Sequence, residues 1–255
     1  METLSLNTLF TGKVLIHLPT TDSTNNYASQ LLSKNHAPLD GTVILADYQT
    51  SGKGYAGNKW DAQAGYNILM SLIYYPHFLQ PQHQFNLNMA VSLGIYDALK
   101  SITGEGLTIK WPNDIFFETK KIGGILIENS LRNNAIQSSI IGIGLNVNQT
   151  SFPEGINASS LALIADKQFD VFKIAAQLCE CIEPYYLSVK NSKTEGLKKL
   201  YESLLLGINK QQLFKKGNDT FNATIKGINA EGKLKLEWEN RIEEFGFKEV
   251  EFIWQ

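Results

Sequence analysis

The segment from Ile141 to Asn148, IGIGLNVN, limits most strongly how this chain can fold. Side chains in a β-strand point alternately to opposite faces. One face of the predicted strand is apolar, with Ile141, Ile143, Leu145 and Val147. The other face has no side chains at Gly142 and Gly144 and polar side chains at Asn146 and Asn148. We predict that the first face packs on a core and that the second admits a flat ligand, because glycine inside a strand often marks a close approach. A barrel kink or tight helix packing would explain the glycines equally well.

A second glycine-containing strand is predicted from Lys121 to Glu128, KIGGILIE. Strand alternation puts Lys121 and Gly123 on one face. A lysine beside a glycine at the start of a strand can hold a carboxylate or a phosphate as a point charge. The alternative is a solvated strand end with no ligand.

The segment Lys110 to Asp114, KWPND, combines a cation, an aromatic ring, an amide and a carboxylate in one turn. Proline presets φ for a turn, and Asn and Asp tolerate its tight geometry. A base can stack on Trp111, Lys110 can meet a phosphate, and Asp114 can hold a ribose or Mg²⁺. A hairpin turn with a core tryptophan is the alternative.

The loop from Gly52 to Gly57, GKGYAG, matches the dinucleotide-binding pattern G-x-G-x-x-G in form only. That pattern must open a helix, whereas here a turn and then a strand are predicted to follow. A phosphate-binding P-loop pattern is also absent from the sequence. The glycines free the backbone to wrap an anion, with Lys53 and Lys59 as nearby charges. An ordinary flexible loop remains an alternative.

Apolar periodicity and turn residues predict a mixed order of strands and helices, which is typical of an α+β fold. From Lys210 onward the sequence predicts short strands and turns, so we place a domain boundary near Gly207. The predicted domains are 1–206 and a small all-β unit, 207–255. The predicted strands are 14–18, 42–48, 66–75, 107–111, 115–117, 122–128 and 138–148, and the predicted helices are 25–33, 85–102, 172–189 and 193–205.

Charge and composition exclude several classes of protein. The chain has 23 Lys and Arg against 25 Asp and Glu, so it lacks the basic excess of proteins that coat nucleic acid. No apolar run approaches the roughly 20 residues of a membrane span, and the N-terminus lacks the pattern of a secretory leader. Cys179 and Cys181 lie two apart in a predicted helix and suit neither a disulfide nor a zinc site. We therefore predict a cytoplasmic protein without a membrane partner.

Five segments in serial order resemble the biotin protein ligases: 22–25 (DSTN), 49–60, KWPND, KIGGILIE and 142–148. The resemblance covers residues 14 to 150, and KIGGILIE begins seven residues after Asp114. It implies a class II aminoacyl-tRNA synthetase-like catalytic domain, in which a mixed β-sheet carries packed helices. It also implies that 207–255 is a small SH3-like domain.

The resemblance implies a two-step reaction with ATP, Mg²⁺ and biotin and without a permanently bound cofactor. Biotin becomes biotinyl-5'-AMP and then passes to a lysine of a biotin carboxyl carrier domain. Lys121 and Lys110 match the catalytic positions, and Asp114 is the candidate magnesium ligand. The residues implied for biotin are Ser23, Thr24, Asn25, Gln49, Gly52, Lys53, Gly54, Tyr55, Lys121, Gly123 and Gly124. Those implied for ATP or the adenylate are Lys53, Trp60, Lys110, Asn113, Asp114 and Asn146.

The sequence departs from the family pattern in two places, and these limit which of the family's properties can be expected of this chain. The family loop is usually rich in arginine, whereas residues 52–58 carry Lys53, Tyr55 and Asn58. The sequence therefore does not fix how tightly this loop retains the adenylate. The first predicted strand begins at Val14, which leaves too little chain for an N-terminal DNA-binding domain, so we expect no DNA partner. A lipoate-type ligase and a non-catalytic binding module are the competing functions. A monomer and a homodimer are both compatible with the sequence.

Overall fold

The computed structural model describes residues 4, 6–34 and 37–253. A seven-stranded mixed sheet has the strand order β1-β2-β3-β7-β6-β5-β4. Strands β1 and β2 are parallel, and the remaining neighbours are antiparallel. Its strands are β1 (Leu15–Thr21), β2 (Thr42–Gln49), β3 (Ile68–Tyr74), β4 (Leu107–Lys110), β5 (Asp114–Phe117), β6 (Lys120–Arg132) and β7 (Ala135–Leu145).

Helices cover the two faces of this sheet unequally. The larger core lies between the sheet and helices α2, α4 and α5, and it takes Ile141, Ile143 and Leu145 from β7. Helix α2 approaches α4 closely at Gly94, where a Cβ would lie 2.6 Å from Ile182. The helices are α1 (Thr24–Leu32), α2 (Phe85–Thr103), α3 (Leu161–Ala165), α4 (Val171–Lys190) and α5 (Thr194–Ser203).

Helix α1 covers only part of the opposite face. It packs on a small cluster that includes Ile44, Ile73 and Ile140. Because Ile140, Gly142 and Gly144 alternate along β7, the bare strip predicted from the sequence lies on this thinly covered face. The strip extends past the N-terminal start of α1 at Thr24, and the cleft lies there.

The C-terminal region forms a separate five-stranded antiparallel sheet, in the order β11-β10-β9-β8-β12. Its turn at Gly232, with φ of +85°, lies against the mixed-sheet region, and the Gly232 carbonyl accepts a 2.8 Å hydrogen bond from Trp111 Nε1. A side chain at Gly232 would collide with the ring of Phe85. Its strands are β8 (Gln211–Lys216), β9 (Asp219–Ile228), β10 (Leu234–Trp238), β11 (Arg241–Phe245) and β12 (Glu251–Ile253).

The predicted α+β class and the C-terminal all-β unit are confirmed. The predicted strand bounds that differ most are those of β1, which continues to Thr21, of β6, which continues to Arg132, and of β7, which runs from Ala135 to Leu145. Helix α3 lies in a stretch with no predicted element. The early end of β7 places Asn146 and Asn148 beyond the strand. Both cysteines lie in α4 and are free thiols. No helix within the described residues is long and apolar enough to cross a membrane.

Candidate functional site

A cleft of about 440 Å³ lies on the thinly covered face of the mixed sheet. Its floor is the glycine strip of β6 and β7, and its walls are the start of α1, the glycine loop, the KWPND turn and the C-terminal sheet. The cleft brings together most of the residues predicted for the site. Those lining it are Ser23, Thr24, Asn25, Gln49, Lys53, Gly54, Tyr55, Trp60, Lys110, Asn113, Asp114, Lys121 and Gly124.

One end of the cleft is a neutral hydrogen-bond network. The Gln49 side-chain oxygen accepts from the Thr24 backbone N–H at 2.7 Å and from its hydroxyl at 3.1 Å. The Ser71 hydroxyl lies 2.8 Å from Thr24 Oγ1 and donates to Asn25 Oδ1 at 2.6 Å. Ser71, Thr24 and Asn25 are all buried. We call this group the neutral end; it offers fixed donors and acceptors to an uncharged polar ring.

Glycine is required in the floor at this end. A Cβ on Gly142 would lie 2.5 Å from Asn25 Oδ1, closer than real Cβ contacts come. The register explains the crowding, since Gly142 pairs with Ser71 of β3 on one side and with Leu126 of β6 on the other. The glycine predicted to permit close approach therefore admits the side chain of Asn25.

The other end of the cleft carries charge. Lys121 Nζ lies 2.6 Å from Asp114 Oδ1, so the lysine of KIGGILIE meets the carboxylate of KWPND. The backbone N–H of Ile125 donates to the Asn113 carbonyl at 2.9 Å, and the Asn113 amide donates to the Ile125 carbonyl at 2.6 Å. These bonds hold the turn against β6 and fix the position of Asp114. We call this group the charged end.

The prediction that Lys121 and Gly123 share a face was wrong. The register of β5 with β6 shifts between Ile115 and Phe116, so that Phe116 pairs with Lys121 while Ile115 pairs with Gly123. The extra residue reverses the alternation. A Cβ on Gly123 would meet Gly144 O and Leu145, whereas one on Gly124 would meet Asp114, Trp60 and Lys121. Gly124, and not Gly123, shares the cleft with Lys121.

Lys110 is the second lysine of the charged end. Its ammonium lies 5.2 Å from the ring centroid of Phe116 and 5.3 Å from that of Phe252. Burial lowers the pKa of Lys110, and Lys121 lowers that pKa further, whereas the carboxylate of Asp114 raises it. The aromatic rings and the carboxylate of Asp114 stabilise the ammonium of Lys110. Lys110 is therefore suited to bind an anionic ligand.

Trp60 lies flat on the glycine strip. A Cβ on Gly144 would collide with its indole, one on Gly124 would lie 3.3 Å from Cζ3, and Lys121 Nζ is 5.6 Å from a ring centroid. The indole N–H is buried and has no hydrogen-bond partner within the described part of the chain. Trp60 therefore lines the cleft, and its ring lies on the glycine face of the sheet.

The glycine loop is a tight closed turn and opens no α-helix. Gly54 N donates to the Asn58 carbonyl at 2.7 Å, and Trp60 N donates to the Gly52 carbonyl at 2.9 Å. A Cβ on Gly52 would collide with the Trp60 carbonyl. Only a short 3₁₀ turn, Tyr55–Gly57, follows the first glycines, so the dinucleotide-binding pattern was rightly rejected.

Two predicted residues point away from the cleft. Asn146 lies past the end of β7, and its amide donates to the Ser159 carbonyl at 3.0 Å. Gly123 lies on the far face of β6, for the reason given above. Gly52 acts through the backbone of the loop, where its closeness to Trp60 closes the turn.

Sequence reasoning missed two residues that hold Asn25, which are Ser71 and Glu128, and five C-terminal residues that line the cleft. Ser71 left one signal, a hydroxyl that interrupts an apolar run, and Glu128 left another, a charge at the end of an apolar strand. The five C-terminal residues left none, because a long-range packing decides their place. They are Phe247, Lys248, Val250, Glu251 and Phe252.

A magnesium ion fits this site only in the company of phosphates. Within the described residues no group of three His, Cys, Asp or Glu side chains could hold a metal ion. Asp114 is a single carboxylate already paired with Lys121. Because Mg²⁺ is commonly bound by one or two carboxylates plus substrate phosphates, Asp114 fits as one ligand of an ion that arrives with a nucleotide.

Comparison with known proteins assigns the family. The model of the biotin/lipoate A/B protein ligase family matches residues 17–146, and the chain belongs to this family. It is 35% identical over 251 residues to the bifunctional ligase/repressor BirA of Bacillus spizizenii, covering 96% of this chain and 76% of that protein. The biotin--[acetyl-CoA-carboxylase] ligase of Paracoccus denitrificans is 37% identical over 138 residues, 51% of this chain and 53% of that one.

A solved structure extends the likeness to the whole fold. The biotin protein ligase from Aquifex aeolicus in complex with biotin and ATP superposes with a TM-score of 0.79 at 29% identity. The match covers 94% of this chain and 99% of that one. The C-terminal sheet therefore belongs to the shared architecture.

Proposed function

We propose that this chain is an ATP-dependent biotin protein ligase, which activates biotin to biotinyl-5'-AMP and transfers it to a lysine of a biotin carboxyl carrier domain. One observation carries the proposal: a single cleft joins a buried neutral hydrogen-bond network to a pair of lysines. Biotin has the same division, with an uncharged ureido ring at one end and a carboxylate at the other. The relatives named above support the same activity.

The neutral end suits the ureido ring. A neutral polar ring needs a few directed hydrogen bonds inside a pocket that excludes water. Thr24, Asn25 and Gln49 are already oriented by one another and by Ser71, so little ordering is required on binding. Ser23, Gly54 and Tyr55 also line the cleft.

The charged end suits adenylation. The biotin carboxylate attacks the α-phosphorus of ATP, a P–O bond forms, and the bond to the leaving pyrophosphate breaks. Two anions must approach each other in this step, and fixed cations lower the cost of their repulsion. Lys121 is assigned to the carboxylate and acyl phosphate, and Lys110 to the phosphates of ATP. Asp114 holds Lys121 in place and is one candidate ligand for the magnesium ion that ATP brings.

Transfer uses the same intermediate. The neutral amine of the acceptor lysine attacks the acyl carbon of biotinyl-5'-AMP and forms an amide. The acyl–phosphate C–O bond breaks, AMP leaves, and the amine loses its proton to solvent. Trp60 and the glycine loop border the cleft and can keep water from the adenylate before the acceptor arrives.

Incubation of the purified chain with biotin, ATP, Mg²⁺ and a carboxyl carrier domain tests this function. We expect pyrophosphate release and an increase in the mass of the carrier domain equal to one biotinyl group. The mass increase should be lost when the acceptor lysine is replaced by arginine. Lipoate in place of biotin is the control, because the family includes both kinds of ligase. Carrier modified by lipoate and not by biotin would overturn the assignment.

A further inference from the structure

Glu128 joins the neutral end of the cleft to the glycine loop. One carboxylate oxygen accepts a 2.7 Å hydrogen bond from Asn25 Nδ2. The other lies 3.6 Å from Lys53 Nζ. Glu128 lines an open groove beside α1, and Lys53 borders both this groove and the cleft.

The carboxylate is the nearer of two acceptors that set which way the amide of Asn25 points, since Asn25 Nδ2 also lies 3.5 Å from the Leu126 carbonyl. An ionised carboxylate only accepts hydrogen bonds, so it selects the –NH₂ side of the amide. The amide oxygen is then directed to the Ser71 hydroxyl and lies over Gly142. Asn25 is 3% exposed, so water cannot substitute for a lost partner at little cost.

We propose that Glu128 is a positioning residue of the biotin pocket. Through one oxygen it fixes the amide of Asn25, and through the other it holds Lys53 and with it the glycine loop. Recognition of the ureido ring and closure of the loop thus depend on one carboxylate. This inference rests on the proposed function, since it concerns how that pocket binds biotin.

Two substitutions separate the two contacts. In Glu128→Gln the side-chain oxygen still accepts from Asn25, but the charge that attracts Lys53 is gone. Glu128→Ala removes both. Glu244→Ala is the matched control, because Glu244 accepts a 2.7 Å bond from Asn229 Nδ2 in the C-terminal sheet, the same chemistry away from the cleft.

Biotin affinity by calorimetry and trypsin cleavage after Lys53 and Lys59 are the two measurements. For Glu128→Ala we expect biotin affinity to fall roughly 10- to 100-fold, as for loss of a hydrogen bond to a charged group, and loop cleavage to quicken. For Glu128→Gln we expect biotin affinity within about threefold of the parent, because the bond to Asn25 persists, but cleavage as fast as in Glu128→Ala. Glu244→Ala should match the parent in both measurements.

The outcomes distinguish this inference from the function it rests on. A parent protein that binds no biotin would overturn the proposed function. A parent that binds biotin, with Glu128→Ala binding it equally well, would overturn the role of Glu128 alone. Equal loss of affinity in the Gln and Ala variants would also overturn it, because the bond to Asn25 would then not be the cause. If Glu128→Ala fails to fold, Glu128→Gln still decides through its predicted split between affinity and cleavage.

Discussion

The two ends of the cleft share a floor of two strands, β6 and β7, and differ in how far they are exposed to water. At the neutral end Ser71 is 0% exposed and Thr24 and Asn25 are each 3% exposed. At the charged end the side chains of Lys121 and Asp114 are 34% and 22% exposed. Buried neutral groups are tolerated when all are hydrogen-bonded, whereas a buried charge carries a large desolvation cost. The cleft therefore places fixed dipoles in its dry part and ions in its wetter part.

The glycine strip makes this division possible. Gly142 lies under Asn25 and Gly144 lies under Trp60, two residues apart on one face of β7. Gly124 continues the strip on β6 beside Lys121 and pairs with Gly144. The strip therefore leaves room for the side chains of Asn25 and Trp60 against the sheet, and these two side chains line the two ends of one cleft.

The largest effect is expected from removing the charge of Lys121 at the charged end. Lys121→Ala should lower the rate of adenylation by roughly 10²- to 10³-fold, as for loss of a preorganised group that stabilises transition-state charge. Pyrophosphate release is the measurement. Lys120→Ala is the control, since Lys120 is the exposed neighbour on the same strand. Near-normal pyrophosphate release by a folded Lys121→Ala variant would refute the assignment.

The next largest effect is expected on biotin binding at the neutral end alone. In Gly142→Ala the new Cβ would lie 2.5 Å from Asn25 Oδ1, so the amide must move. Overpacking of this kind costs about 1–3 kcal/mol, and we expect the KM for biotin to rise roughly 5- to 100-fold while the KM for ATP stays unchanged. Gly196→Ala is the control, because a Cβ there meets nothing within 4 Å. A matching rise in both KM values would contradict the division of the cleft.

Much of this arrangement could be predicted from local sequence. Alternation along β7 gave the bare face and its glycines, and KWPND and KIGGILIE each placed a lysine close to a turn or a glycine. The bulge at Ile122 could not be predicted, because a single extra residue leaves no periodic signal and reverses which glycine faces the site. The position of Asn146 was missed for a similar reason, since the end of β7 is set by pairing with β3 and β6.

Long-range packing explains the remaining omissions. Ser71 and Glu128 come from strands far apart in sequence, and only the register of β3, β7 and β6 brings both to Asn25. The C-terminal wall depends on the docking of Gly232 against Trp111. Neither contact follows from the pattern of residues around it.

A third prediction uses the pKa of Lys110 to sharpen the contrast between the two ends. Lys110→Met should raise the KM for ATP by about tenfold, as for loss of a hydrogen bond to a charged group, and leave biotin affinity unchanged. Because burial lowers the pKa of Lys110, its ammonium loses its proton at a lower pH than an exposed lysine does. The KM for ATP should therefore rise with pH below 10.5, the ordinary value.

The control for this pH dependence is Lys110→Arg, since arginine stays protonated throughout the range. Steady-state kinetics against pH measures both variants. The alkaline rise in the KM for ATP should move to higher pH in Lys110→Arg and be absent in Lys110→Met. An unchanged rise in both variants would assign it to another group.

The smallest effect should come from the C-terminal wall. Phe247 meets Tyr55 of the glycine loop at 5.7 Å and Trp111 of the KWPND turn at 5.3 Å between ring centroids, so it links the loop to the charged end. Aromatic pairs contribute about 0.5–1.5 kcal/mol beyond their buried area. In Phe247→Ala we therefore expect a two- to tenfold rise in the KM for ATP and faster trypsin cleavage after Lys53 and Lys59.

The matched control for Phe247→Ala is Phe78→Ala. Phe78 is equally exposed, at 39%, and makes one edge-on contact with Tyr186 outside the cleft. Phe247 also lies 6.0 Å from the ring of Phe85, so Phe247→Ala should lose more stability in thermal unfolding than Phe78→Ala, and the kinetics are compared at a temperature where both variants stay folded. Only Phe247→Ala should change the kinetics, because only Phe247 joins the C-terminal sheet to the loop. Equal kinetics in the two variants would mean that the C-terminal wall borders the cleft without holding the loop over it.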